Sequence, residues 1–144
     1  MRSSPLLTGL IVISTMMLCS CSTQGNAPKL SPVEGIVTWN GQPLADAAIA
    51  FTPSSGPIAV GKTDAEGRFR LSTQGRPGAA VGDHRITIQA YEPLPANAAT
   101  GPDGESTVNP VSRIPEKFGQ LDQSGLTATV STKAGENKFT FDLK

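Results

Sequence analysis

The sequence predicts an all-β fold, a sandwich of about seven strands behind a cleaved signal peptide. Three observations carry this. From residue 33 onward no window repeats at the helical period. Short runs of alternating apolar and polar residues take its place, and alternation marks a half-buried strand. Gly, Pro, Asn and Asp separate the runs, as turns do in a sandwich or barrel.

The chain begins differently. Arg2 precedes an apolar run from Leu6 to Leu18. The run is too short to cross a bilayer comfortably as a helix. A positive start, an apolar middle and small residues at the end make residues 1–20 a secretory signal peptide. The run Leu18-Cys19-Ser20-Cys21 resembles the lipobox of bacterial lipoproteins: an aliphatic residue, two small ones, then the modified cysteine. The resemblance implies that Cys21 is the lipidation site and the mature N-terminus, carrying a thioether-linked diacylglycerol. Cys19 then leaves with the signal. The alternatives are an ordinary cleaved signal or a disulfide, and a bridge between such close neighbours is badly strained. Two or more acyl chains anchor stably where one is marginal, so the expected partner is a membrane, held without spanning it. Residue 22 is Ser rather than Asp. By the Gram-negative sorting rule, again carried by resemblance, this favours the outer membrane over the inner one.

Processing leaves 124 of the 144 residues, the size of one domain. Eleven Lys and Arg face twelve Asp and Glu, a net of −1. No basic excess attracts a phosphate backbone, so nucleic acid is not an expected partner. Residues 21–32, from Cys21 through "STQGNAPKLSP", read as a lipidated flexible tether. Residues 33–144 are the expected domain.

The first run of the domain, "VEGIVTW" (33–39), places Val33, Gly35 and Val37 on one face. Asn40-Gly41 follows, a strong hairpin signal because both residues tolerate positive φ. Residues 47–52 put Ala47, Ile49 and Phe51 together, and "IAVGKT" (58–63) is a third strand. "DAEG" turns the chain into "RFRL" (68–71), with Phe69 and Leu71 inward. A Gly/Pro-rich loop leads to "DHRITIQA" (83–90), where His84, Ile86, Ile88 and Ala90 alternate with Arg85, Thr87 and Gln89. "LTATVST" (126–132) and "KFTFDL" (138–143) complete the set, with Phe139, Phe141 and Leu143 on one face. Between the fifth and sixth runs lies a long loop, 91–117. Its first half is expected to be mobile, because a loop of this length is uncommon in a compact domain. Ile114 and Phe118 are expected to dock.

The runs "VEGIVTWNGQPLADAAIAF", "GKTDAEGRFRLS" and "GDHRITI" resemble the carboxypeptidase regulatory-like family, within the transthyretin-like (prealbumin-like) β-sandwiches. The matching pieces are the V-x-G-x-V strand, the G-x-P-L turn and T-D-x-x-G-x-F-x-L. The C-terminal residues from Ile114 look like the tail of small bacterial lipoproteins built on this domain. These motifs are turns and core strands, so they imply a fold more than an activity. His84 stands where that pattern usually has Tyr.

Little in the chain suggests chemistry. His84 is the only histidine. Asp83 beside it cannot easily orient it, because neighbours on a strand point to opposite faces. Asp64 and Glu66 lack the spacing of a calcium loop and read as a turn in which Asp caps its own backbone. No phosphate-binding glycine motif occurs. The expectation is therefore no catalytic residue, no metal ligand and no cofactor. Trp39 and Tyr91 are the candidate ligand-binding residues, since exposed aromatic rings can stack on a sugar. The expected protein is a non-catalytic, lipid-anchored envelope component that binds or supports an envelope protein or polysaccharide. A surface carbohydrate- or small-ligand-binding module is the alternative.

Overall fold

A computed structural model describes residues 27–94 and 108–144. Cys21, and residues 95–107 of the long loop, lie outside the described residues. The chain forms an all-β sandwich, with no α-helix among the described residues. Its strands are β1 (Leu30–Ser31), β2 (Glu34–Trp39), β3 (Gln42–Pro43), β4 (Ala48–Pro53), β5 (Ala59–Lys62) and β6 (Arg68–Arg70). They continue with β7 (Ser72–Thr73), β8 (Arg76–Pro77), β9 (Ala79–Ala80), β10 (Gly82–Gln89), β11 (Leu126–Val130) and β12 (Lys138–Leu143).

The strand count exceeds the expected seven. The seven anticipated runs are all present, as the strands of three or more residues. The other five strands hold two residues each. Three of these lie in the stretch expected to be a Gly/Pro-rich loop, where Ser72–Thr73 and Arg76–Pro77 form a hairpin. Its turn, Gln74-Gly75, has φ of 50° and 78°. The expected tether also needs correction at its end. Leu30 and Ser31 pair with Ala80 and Ala79, and Ser31 is buried. Among the described residues, strand pairing thus begins at Leu30, three residues before Val33.

One sheet runs β11-β10-β4-β5-β7-β8, antiparallel throughout. The other is built around β2. β12 pairs parallel with it along one edge, while β6 and β3 share the opposite edge end to end. The Asn40-Gly41 turn connects β2 to β3 with φ of 49° and 78°, the two positive values that a tight hairpin needs. Leu71 joins β6 to β7, so the chain crosses there from one sheet to the other.

The inward faces match the alternation. Val37, Ile49, Phe51, Ile86, Ile88, Val130 and Leu143 are almost wholly buried. Phe51 stands at the centre. From the large sheet it meets Phe69, Phe139 and Phe141 of the other sheet, with ring centroids 5.8–6.3 Å apart. Offset and edge-on ring pairs of this kind add to area burial. Gly35 is required beside them, because a Cβ there would overlap the Phe139 carbonyl and the Phe69 ring. Ile114 and Phe118 do dock and are buried. Phe118 belongs to a short 3-10 turn, Glu116–Gly119, that packs on β10. The base of the long loop is closed by a bridge between Tyr91 and Ser112.

Candidate functional site

The two candidate aromatic residues have different surroundings. Trp39 ends β2 and packs against the core. Its ring meets Phe118 edge-on at 6.5 Å and 76°. Trp39 thus helps seat the segment that follows the long loop. Tyr91 is exposed, at the rim of a hollow of about 270 Å³. Gln89, Ser112, Glu116 and Gln120 share this hollow. A ring beside amide and carboxylate groups can meet a polar ligand through stacking and hydrogen bonds.

His84 is more deeply placed than a half-buried strand position, at 3% exposure. Its ring lies 5.7 Å from Phe51. Nε2 is 2.7 Å from the Ala80 carbonyl oxygen. A carbonyl can only accept, so Nε2 carries the proton and donates. Nδ1 is buried without a hydrogen-bond partner. The histidine thus fastens β9 to β10 and fills the core. Asp83 points elsewhere and accepts a 2.6 Å hydrogen bond from Thr129 Oγ1. The pair is not a catalytic dyad.

Asp64 and Glu66 form the anticipated turn. Asp64 Oδ1 accepts from the backbone N–H groups of Glu66 and Arg68, at 3.0 and 2.8 Å. Gly67 has φ of 72°. The Arg68 backbone bond, together with the nearby guanidinium, holds the Asp64 carboxyl below its ordinary value. Arg68 also reaches Glu66 at 3.3 Å. Both carboxylates therefore serve local structure. No group of three or more candidate metal ligands occurs among the described residues.

The outward face of β2, β6 and β12 carries a shallow groove bordered by Glu34, Arg68, Arg70 and Lys138. Glu34 sits between Arg70 and Lys138, at 3.8 and 3.4 Å. These pairs are exposed and contribute little to stability.

One structural residue gave no signal in sequence. Asn137, in the turn "KAGEN", is 1% exposed. Its Oδ1 accepts from the Ser131 N–H at 2.7 Å. Its Nδ2 donates to the Ser131 carbonyl at 2.9 Å and to Ser31 Oγ at 2.8 Å. Its own carbonyl accepts from the Glu34 N–H. One residue thereby ties together β1, the end of β11 and the start of β2. A turn-forming Asn is common, and only the fold shows this one to be buried.

Comparison of the chain with protein-family models, with curated proteins and with solved structures gives no match.

Proposed function

We propose that the chain is a lipid-anchored cell-envelope protein whose β-sandwich binds or supports another envelope component without catalysing a reaction. The observation that carries this is the run Leu18-Cys19-Ser20-Cys21 directly after a short apolar segment. In this reading Cys21 holds the lipid, Ser22 directs the protein to the outer membrane, and the sandwich resembles the carboxypeptidase regulatory-like domains. The engagement of His84, Asp83, Asp64 and Glu66 in local structure supports a non-catalytic role.

Cys21→Ser is expected to give an unlipidated precursor, while Cys19→Ala is still processed. Mass spectrometry of the membrane fraction reads both. Acylation of the Cys21→Ser protein would refute the anchor. A pull-down from membranes, with the full chain as bait, then tests for an envelope partner.

The second reading is a carbohydrate- or small-ligand-binding module, and the hollow beside Tyr91 favours it. Retention on immobilised cell-wall polysaccharide, abolished by Tyr91→Ala with an unchanged melting temperature, would select this reading over the first.

A further inference from the structure

The sandwich has several strand edges, and nearly all of them are protected. β3 and β8 are two residues long and each contains a proline. β6 is short, flanks its Phe with two arginines and continues at once into the other sheet. β12 carries Lys138 and Asp142. Short length, Pro and charge are the usual means of keeping an edge from pairing with another chain. β11 has none of them. Its five residues, Leu126-Thr127-Ala128-Thr129-Val130, include no charge, proline or glycine. It is the outer strand of the six-stranded sheet.

The open edge of β11 can be assigned residue by residue. Backbone groups alternate sides along an antiparallel strand. Ser131 turns its N–H and C=O to Asn137 rather than to β10. Thr129 and Thr127 therefore direct theirs to the same free edge, and Asn137 caps that edge at its end.

The sequence of β11 is symmetric in residue type about Ala128: apolar, Thr, Ala, Thr, apolar. We propose that β11 pairs antiparallel with β11 of a second copy of this chain, about a two-fold axis at Ala128. Thr127 then faces Thr129 of the other copy, twice, and each such pair exchanges two backbone hydrogen bonds. Leu126 faces Val130 on the inner side. Cross-strand Thr pairs and β-branched apolar pairs are favourable neighbours. Charged side chains flank the edge: Arg85, ion-paired with Asp122 at 2.8 Å, is the register partner of Thr127, and Asp83, which accepts a hydrogen bond from Thr129, is that of Thr129. The two-fold pairing sets the Arg85 side of one copy against the Asp83 side of the other. Leu126 and Phe139, the inward residues of β11 and β12 that are only partly buried, offer further apolar surface near the join. A second copy fits better than an arbitrary strand because the edge is complementary to itself.

Sedimentation equilibrium of the full chain in density-matched detergent tests this. The wild-type chain is expected to sediment at twice its monomer mass. Thr129→Pro removes an N–H from the free edge alone and is expected to weaken the dimer by roughly tenfold or more, since each lost backbone bond is worth about 1 kcal/mol and the symmetry doubles it. Thr127→Glu keeps every backbone bond of the monomer, sets a negative charge against the Asp83 side of the other copy and is expected to weaken the dimer similarly, so it carries the test if Thr129→Pro unfolds. Circular dichroism establishes that each variant is folded. A wild-type chain that is monomeric at all concentrations overturns the proposal. So does a dimer whose dissociation constant is unaltered in folded Thr127→Glu.

Discussion

At the scale of single residues, the polar groups of this chain act mainly as fasteners. Asn137 is the clearest case, because its buried amide satisfies the backbone of Ser131 and the hydroxyl of Ser31. Asn137→Ala leaves buried backbone groups unsatisfied and is expected to cost about 2–3 kcal/mol in urea denaturation. A change below about 0.5 kcal/mol would show that water replaces the amide. Asp64 gives a pH-dependent expectation. Its carboxyl is held below the ordinary value of 3.8, chiefly by the Arg68 backbone N–H. A depressed carboxylate contributes stability that is present above its unfolded value and lost as pH falls through the folded one. Asp64→Asn is therefore expected to flatten the fall in melting temperature below about pH 4. An unchanged slope in melts of the variant would place the acid sensitivity elsewhere.

At the scale of elements, β12 tests the register. Phe141 is buried and Phe139 stacks on it at 6.3 Å, while Lys138 and Thr140 are exposed. Phe141→Ala is expected to cost about 3–5 kcal/mol, as large-to-small core changes do. Lys138→Ala and Thr140→Ala are expected to cost under about 0.5 kcal/mol each. Similar losses on both faces, in chemical denaturation, would contradict the register. The inward faces of β2, β4, β6, β10 and β12 were legible in the sequence, because alternation over several residues shows which side is buried, whereas β5 buries the small Ala59 and leaves Ile58 and Val60 exposed. The five two-residue strands were not legible, since two residues cannot display a period. The parallel pairing of β12 with β2 was not legible either, because nothing local encodes a partner so distant in the chain. Of the candidate site, the turn at Asp64 was legible from its turn residues. The opposite environments of Trp39 and Tyr91 were not, because both depend on where the 3-10 turn at Glu116–Gly119 docks.

At the scale of the whole molecule, the sandwich is closed by pieces from both ends of the domain. β1 pairs with β9 and supplies Ser31 to Asn137. A chain beginning at Val33 loses these contacts and is expected to melt lower than one beginning at Lys29. Each kcal/mol lost lowers the midpoint by about 4–8 °C in a domain near this size. Equal midpoints in thermal melts would mean that β1 adds nothing to the cooperative unit. Calcium and EDTA are expected to leave the midpoint unchanged, since Asp64 and Glu66 already hold the Arg68 turn. A rise of several degrees with calcium would contradict that assignment.

The parallel contact between β2 and β12 also governs how the chain is made. Thr38 and Asp142, hydrogen-bonded to each other across it, are 104 positions apart. A polypeptide that emerges from its N-terminus exposes Phe51 and Phe69 long before Phe139 and Phe141 arrive to cover them. Contacts this distant are slow to form. The domain therefore completes its second sheet only after its last few residues are released, and nascent chains halted short of Lys138 lack that sheet's parallel edge. Until Phe139 and Phe141 arrive, the central Phe51 lacks two of the three phenylalanine rings that surround it.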